Sequence, residues 1–122
     1  MSLHASGHVY VPPQCLRGAR CRLHVAFHGC RQHEELVGDA FYARAGYNGW
    51  ARPISIVVLY PQATAWGGGV FSSGANPRGC WDWWGYSGDA YHGKDGKQVR
   101  AVAAMLNALL GAQVLALQGD RR

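Results

Sequence analysis

Residues 54 to 61 have the sequence ISIVVLYP, an unbroken apolar run that ends at Pro61. Such a run predicts a strand that is covered on both faces, as in the parallel sheet of an α/β domain. RLHVAFH (22 to 28) predicts a second strand, whose alternate residues lie on opposite faces. HVYVP (8 to 12) predicts a third, short strand, because the prolines that follow cannot continue a ladder of hydrogen bonds.

Two segments have the spacing of helices. From about residue 36 to residue 50, apolar residues recur at helical spacing, and Gly46 lies where a helix would end. Further on, Asp95 and Gln98 form a capping box. They precede an apolar helical face that continues as far as Gly111.

The order of these elements predicts the fold class. Strands and helices that alternate around a mostly parallel sheet indicate an α/β fold, and residues 1 to 122 are too few for two hydrophobic cores. VLAL (114 to 117) either extends the last helix or begins another strand. Residues 62 to 94 form a long aromatic, glycine-rich loop without a periodic pattern. Loops of this length in a compact domain are usually functional.

Composition and charge exclude several classes of protein. With 48% hydrophobic and 16% charged residues, the chain is expected to fold. The net charge is +5, but the basic residues form no run or stripe, so we expect no nucleic-acid partner. No apolar run approaches the roughly 20 residues that cross a bilayer, and the N-terminal residues lack the pattern of a signal peptide. We therefore expect no membrane span.

Four cysteines, at positions 15, 21, 30 and 80, allow three disulfide pairings or a metal site. The close spacing of Cys15 and Cys21 brackets a turn, so this pair can close locally and leave Cys30 to meet Cys80. If the disulfides form, the mature protein resides in an oxidising compartment.

A zinc site is the alternative use of these residues, since cysteines and histidines cluster between positions 15 and 33. Structural zinc needs four ligands, commonly in pairs about two to four residues apart. Cys15 and Cys21 are more widely spaced, and His24 and His28 lie on a predicted strand. HEELV (33 to 37) also lacks the second histidine of a metalloprotease motif. We therefore predict no metal.

The segment HGC (28 to 30) directly follows a predicted buried strand. In α/β hydrolases, the turn after such a strand supplies a backbone N–H to the oxyanion hole. The chain contains no Gly-x-Ser-x-Gly nucleophile motif, and the nearest sequence, GYSGD (85 to 89), lacks the last glycine. A triad of Ser87, His92 and Asp95 would place three neighbours in one loop without a scaffold. Most His-Gly pairs after a strand are ordinary turns, so HGC is either such a turn or an oxyanion donor, and no nucleophile motif accompanies it.

The sequence CWDWWGY (80 to 86) places four aromatic rings and a cysteine in seven residues. Adjacent Trp83 and Trp84 fit neither the period of a strand nor that of a helix, so some rings must face solvent or a cleft. The tryptophans either plug a small core beside a disulfide at Cys80 or line a cleft. Exposed aromatic rings with polar neighbours bind flat or apolar ligands, including polymer chains.

Three groups of segments together resemble the poly(3-hydroxybutyrate) depolymerase family of α/β-hydrolase esterases. They follow one another in order and cover nearly the whole chain. The segments are CRLHVAFHGCRQ (21 to 32), GDAFYARAGYNGWA (38 to 51) with IVVLYPQA (56 to 63), and NPRGCWDWWGY (76 to 86) with KDGKQVRAV (94 to 102).

This resemblance implies roles for several residues and implies no cofactor. Cys30 would donate its backbone N–H to the oxyanion hole. The aromatic rings of Trp81, Trp83, Trp84 and Tyr86 would line the cleft that receives a polyester or a hydroxyalkanoate oligomer. Family members with this CWDWWGY variant are circularly permuted, with the nucleophile elbow, catalytic Asp and catalytic His first. The chain therefore resembles the C-terminal half, a partial α/β-hydrolase fold that lacks the nucleophile-elbow half.

We accordingly expect part of an extracellular or periplasmic serine esterase that acts on poly(3-hydroxybutyrate) or short-chain hydroxyalkanoate esters. The chain would be either a truncated open reading frame or an artificially expressed fragment. Alone, the chain is expected to be inactive. Its open sheet edge would bind the missing half of the hydrolase or form a homodimer, and predicts poor solubility of the isolated chain. The alternative function is a non-catalytic module that binds a polyester or a sugar through the CWDWWGY loop.

Overall fold

A three-stranded sheet organises the fold. The computed structural model describes residues 2–67 and 74–119, with side chains as far as residue 112. The strands are β1 (His8–Tyr10), β2 (Arg22–Val25) and β3 (Ile56–Tyr60). Their order in the sheet is β1-β3-β2, so the apolar run that begins at residue 54 provides the central strand.

The directions of the strands differ from the prediction of a mostly parallel sheet. β2 runs parallel to β3, with Arg22 opposite Ile56 and Val25 opposite Leu59. β1 runs antiparallel to β3, with His8 opposite Tyr60. The sheet is therefore mixed, and its two strand pairs have opposite relative directions. Apolar periodicity places residues on faces and carries no information about direction, which explains the error.

The core lies around β3. All five residues of this strand are buried, as expected for a strand that is covered on both faces. The buried cluster contains Ala26, Ala51, Ile56, Val58 and Tyr60, and three partly buried aromatic residues pack against it: Tyr10, Phe41 and Tyr42. Burying one valine or isoleucine side chain contributes about 1.5–3 kcal/mol. This small cluster is therefore the main apolar support of the sheet.

The predicted helix from about residue 36 to residue 50 is wrong, because the segment forms short helices instead. After α1 (Pro13–Leu16), the structure contains α2 (Glu34–Val37), α3 (Ala40–Arg44) and α4 (Tyr47–Ala51). Gly46 has a φ of 92° and separates α3 from α4. Only glycine adopts this left-handed conformation easily, so the chain turns where the apolar spacing alone predicted continuity.

The last helix, α5 (Lys97–Gly119), is longer than predicted. Its first hydrogen bond joins the Arg100 N–H to the Gly96 oxygen at 2.9 Å, so the helix begins one residue after the position that the Asp95 capping box implies. Gly111 lies inside the helix rather than at its end. Of the two alternatives for residues 114 to 117, the extended helix is the one observed.

The long loop between β3 and α5 contains no helix or strand in its described parts, residues 62–67 and 74–94. An isolated bridge joins Trp66 to Asn76, with backbone hydrogen bonds of 2.8 and 2.7 Å. Within the described residues, no helix combines the length and the apolar character needed to cross a bilayer. That residues 1 to 122 form a single, partial α/β-hydrolase domain stays a prediction.

Candidate functional site

The turn after β2 is held by a buried histidine. The ladder continues past the strand through the Ala26 N–H, which donates to the Leu59 oxygen at 2.9 Å. His28, only 2% exposed, accepts the Ala63 N–H at Nε2 (3.0 Å), and its Nδ1 lies 2.8 Å from the Gly29 oxygen. A backbone N–H can only donate, so the histidine proton is on Nδ1. His28 therefore ties the turn to the residues that follow β3.

Burial is the largest influence on His28 and lowers its pKa below the ordinary value. The hydrogen bond to Gly29 acts in the opposite direction, and nearby His33 lowers the pKa further. The neutral ring is therefore the stable form near neutral pH. This form keeps Nε2 free to accept the Ala63 N–H.

Cys30 lies at the exposed tip of this turn. The Gly29 N–H donates to Gln32 Oε1 at 2.7 Å, and the Arg31 N–H donates to the Arg78 oxygen at 2.7 Å. Arg31 adopts a φ of 63°, which is uncommon for a residue with a side chain. Within residues 2–67 and 74–112, no group accepts the Cys30 N–H. Among these described residues, the Cys30 N–H is thus an unused donor at the tip of the turn.

Both disulfides join the cysteine pairs that the close spacing of Cys15 and Cys21 favoured. Cys15 is bonded to Cys21, and Cys30 is bonded to Cys80 with the two Cα atoms 4.2 Å apart. The second disulfide attaches the turn after β2 to Cys80, the first residue of the CWDWWGY segment. We call residues 80 to 87 the aromatic loop. Because all four sulfurs are in disulfides, none remains as a thiolate ligand for zinc.

Asp82 organises the aromatic loop. Its Oδ1 accepts the N–H groups of Trp84 (3.1 Å), Gly85 (2.6 Å) and Tyr86 (3.1 Å). Its Oδ2 accepts both the N–H (2.8 Å) and the hydroxyl (2.6 Å) of Ser87. Partial burial alone would raise the pKa of Asp82, but the hydrogen bonds together outweigh it and lower the pKa. The loop therefore wraps around one ionised carboxylate.

Asn76 and Gln98 connect this loop to the rest of the molecule. Asn76 is fully buried, and its side chain donates to the Cys80 oxygen (2.8 Å) and accepts the Cys80 N–H (3.0 Å). Gln98, on α5, accepts the Asp82 N–H (2.9 Å) and donates to the Tyr86 hydroxyl (2.6 Å). The Tyr86 hydroxyl in turn donates to the Cys80 oxygen at 2.8 Å. Tyr86 thus supports the loop through its hydroxyl.

The tryptophans of the loop have different environments. Trp81 is partly buried and meets Phe27 edge to face, with the ring centres 5.0 Å apart. Trp83 is 71% exposed and Trp84 is 41% exposed, and their ring centres are 5.2 Å apart. The sequence left a core plug and a cleft wall as equal alternatives. Trp83 and Trp84 are too exposed to plug a core.

The tryptophan rings line two separate clefts. The first, which we call the disulfide cleft, has a volume of about 380 Å³ and is lined by Cys30, Asn76, Pro77, Arg78, Cys80, Trp83 and Trp84. The second, the α5 cleft, has about 420 Å³, and Phe27, Trp81, Val99, Val102, Ala103 and Leu106 form its apolar lining. Trp81 therefore lines a different cleft from Trp83 and Trp84. That these rings and Tyr86 bind substrate stays a prediction.

Ser87 is part of the support of the loop. It is buried, and its hydroxyl is engaged by Asp82 at 2.6 Å. The ring of His92 packs edge to face on Tyr91, with the centres 5.0 Å apart. The structure therefore gives Ser87 a partner that explains its burial without a catalytic role.

Sequence reasoning missed the supporting roles of His28, Asn76, Asp82 and Gln98. Each is a polar residue whose hydrogen bonds hold the turn at Cys30 or the loop after Cys80. The available signal was an aspartate between two tryptophans and an asparagine at the start of an Asn-Pro turn. Both residue types bind neighbouring backbone groups in turns.

A mixed sheet with helices places the chain in the α/β class. Within this class, the chain is a homologue of the polyhydroxybutyrate depolymerases over most of its length. It is 39% identical over 116 residues to a polyhydroxybutyrate depolymerase from Talaromyces funiculosus, covering 88% of this chain and 33% of that protein. A poly(3-hydroxybutyrate) depolymerase from Delftia acidovorans is 41% identical over 104 residues, covering 84% of this chain and 19% of that protein. No protein-family model matches the chain.

Solved structures agree with this relationship. The crystal structure of PHB depolymerase from Penicillium funiculosum superposes with a TM-score of 0.75 at 40% identity, covering 84% of this chain and 34% of that one. A serine-to-alanine variant of PHB depolymerase in complex with an R3HB trimer gives the same values. The resemblance seen in the sequence is therefore confirmed, and the chain spans about a third of each solved relative.

Proposed function

We propose that this chain supplies the oxyanion donor and the substrate-binding wall of a serine esterase that hydrolyses poly(3-hydroxybutyrate) or hydroxyalkanoate oligomers. The observation that carries the proposal is the identity of about 40% to PHB depolymerases over most of the chain, one of which is complexed with an R3HB trimer. Cys30 is the proposed donor, and Trp83 and Trp84 are the proposed wall.

The geometry of the disulfide cleft supports these roles. Cys30 has a free N–H among the described residues, and it lines the same cleft as the two exposed tryptophans. In ester hydrolysis, negative charge develops on the carbonyl oxygen, and one positioned N–H donor stabilises that charge by about 3 kcal/mol. The rings offer apolar faces to the hydrocarbon part of a polyester. The cleft thus combines a charge-stabilising donor with an apolar wall.

In this proposal the serine nucleophile, its base and its orienting carboxylate belong to polypeptide outside these 122 residues. The sequence contains no Gly-x-Ser-x-Gly motif. The chain also spans only about a third of the Talaromyces funiculosus relative. On its own, the chain would then keep only the weak acceleration that binding and an oxyanion donor supply.

The free edge of β2 is the proposed docking site for that polypeptide. In the described part of the chain, β2 pairs with β3 alone, which leaves one side of the strand without hydrogen-bond partners. Phe27, just beyond β2, is 52% exposed. A further strand of the hydrolase would satisfy the edge and cover this ring. Without it, the same surface favours self-association.

The two disulfides favour an oxidising compartment, so we propose an extracellular or periplasmic location for the working enzyme. A non-catalytic polyester-binding or sugar-binding module is the second candidate. The missing nucleophile motif favours it, together with the 71% exposure of Trp83.

A chimera tests the proposal. This chain replaces the matching third of the Talaromyces funiculosus depolymerase, and hydrolysis of a hydroxybutyrate trimer is measured. We expect hydrolysis by the chimera, at most a trace of it by the isolated chain, and self-association of the isolated chain in gel filtration. A folded chimera that binds the trimer without hydrolysing it would favour the binding module.

Two variants of the chimera isolate the N–H donor. Cys30→Ala with Cys80→Ala removes the disulfide and keeps the N–H, whereas Cys30→Pro with Cys80→Ala removes both. We expect the proline variant to have about 10²–10³-fold lower kcat than the alanine variant, the usual effect of losing one oxyanion donor. Equal kcat values would show that Cys30 does not provide the donor.

A further inference from the structure

Arg78 occupies a rigid position on the disulfide cleft. It lies in a turn that is closed by a hydrogen bond from the Gly79 N–H to the Asn76 oxygen (3.2 Å). The Arg78 oxygen accepts the Arg31 N–H at 2.7 Å, and fully buried Asn76 anchors the start of the turn. The backbone of Arg78 is therefore fixed at the cleft, while its side chain is exposed.

Among the residues that the structure describes, the charge of Arg78 has no ion-pair partner, since none of them places a carboxylate within ion-pair distance of its guanidinium. The other residues that line the cleft are neutral: Cys30, Asn76, Pro77, Cys80, Trp83 and Trp84. A guanidinium offers paired N–H donors that match the two oxygens of a carboxylate. The cleft thus has one unused cation of the type that binds carboxylates.

The proposed substrate carries such a group at one end. A linear hydroxyalkanoate oligomer ends in one carboxylate, whereas its internal ester groups are uncharged. We propose that Arg78 binds the terminal carboxylate of a hydroxyalkanoate oligomer, so that the disulfide cleft prefers free-acid chain ends to capped ones. This inference rests on the function proposed above and adds to it a preference for the carboxylate end of the oligomer.

The experiment compares two forms of one ligand on the chimera described above, with its nucleophilic serine replaced by alanine so that neither ligand is hydrolysed. Tryptophan fluorescence is titrated with the free-acid trimer of (R)-3-hydroxybutyrate and with its methyl ester, at low salt and at high salt. We expect the acid to bind about three- to fivefold more tightly than the ester at low salt, the scale of an exposed ion pair. High salt should remove the difference, because it screens exposed charges.

Variants assign the preference to Arg78. Arg78→Gln should abolish the difference between acid and ester while leaving the Kd of the ester unchanged, and Arg78→Lys should keep part of the difference. Arg22→Gln is the matched control, since Arg22 begins β2 at the end opposite to the Cys30 turn and is exposed. Near-ultraviolet circular dichroism checks that each variant retains its fold.

The outcomes separate this inference from the proposed function. If the chimera with Arg78 intact binds acid and ester equally, Arg78 does not recognise the carboxylate, and the esterase proposal stands. If Arg78→Gln weakens both ligands alike, its role is structural and the inference is wrong. If neither ligand binds, the tryptophan wall of the proposed function fails, and the inference fails with it.

Discussion

Strand β3 and the loop from Cys80 to Ser87 are held in place by different kinds of contact. Every residue of β3 is buried, and the side chains there are apolar apart from the hydroxyl of Tyr60. In the loop, Trp83 and Trp84 are exposed, while the carboxylate of Asp82 accepts five hydrogen bonds. Apolar burial is spread over many atoms and has no direction, whereas the loop depends on one acceptor.

This difference shows how the cleft is built. The exposed rings of Trp83 and Trp84 do not fill the core, so apolar burial contributes little to their position. Directional hydrogen bonds and a disulfide fix the backbone instead, and the rings remain exposed. The loop should therefore be sensitive to single polar changes, and the sheet should not.

The Cys30–Cys80 disulfide should show the largest effect. It closes a sequence separation of 50, whereas Cys15–Cys21 closes one of 6. In the chain-entropy description, removing the first lowers the free energy of unfolding by about 4 kcal/mol and removing the second by about 2 kcal/mol. The measurement is urea denaturation of the two double-serine variants. Equal losses would contradict the entropic account.

Asp82→Ala should come next. It leaves five donors of the loop without their charged acceptor, and we expect a loss of about 3 kcal/mol in the free energy of unfolding. The near-ultraviolet circular dichroism of the tryptophans should weaken. Exposed Asp89 provides the control, since Asp89→Ala should change stability by less than about 0.5 kcal/mol. A similar loss in the free energy of unfolding for both substitutions would show that Asp82 does not organise the loop.

Acid gives an independent test of the same carboxylate. The folded state lowers the pKa of Asp82, so its contribution to stability is fully present above the unfolded value of about 3.9. The contribution is lost as the pH falls through the lower pKa of the folded state. In a pH series of urea denaturation, the wild-type chain should lose more stability in this range than Asp82→Ala does.

Tyr60→Phe should have the smallest effect, because it changes only one polar contact in the apolar region. The Tyr60 hydroxyl donates to Asn48 Oδ1 at 2.6 Å, and its loss should cost about 1 kcal/mol. Tyr91→Phe, which removes a hydroxyl from the loop between β3 and α5, is the comparison. A loss as large as that of Asp82→Ala would contradict the contrast between the two regions.

The titration of Tyr60 refines this prediction. Burial, followed by the influence of Tyr47 and Tyr10, raises its pKa to about 12. The unfolded phenol has a pKa of about 10, so the contribution of Tyr60 is fully present below pH 10 and is lost as the pH rises towards 12. Phenolate absorbance of the wild-type chain and Tyr60→Phe would assign the late-titrating group.

Much of the fold is readable from local patterns. The apolar run that begins at residue 54 identified the central strand, and alternating residues identified β2. The prediction of one helix from residue 36 to residue 50 was wrong because helical spacing of apolar residues does not reveal that Gly38 and Gly46 adopt positive φ angles, which interrupt the helix. Polar supports such as Asp82 were missed because their partners are backbone N–H groups, which every sequence contains.

The amino-acid sequence was enough to predict the buried strand at residue 54, the local pairing of Cys15 with Cys21, and that some rings of the CWDWWGY segment face solvent or a cleft. These properties depend on neighbouring residues and on the periods of strands and helices. Three features are visible only in the folded chain: the direction of β1, the division of Trp81 from Trp83 and Trp84 between two clefts, and the position of Arg78 on the same cleft as Cys30. These features depend on which groups meet across some 50 residues of chain, and directional contacts over that separation leave no periodic trace in the sequence.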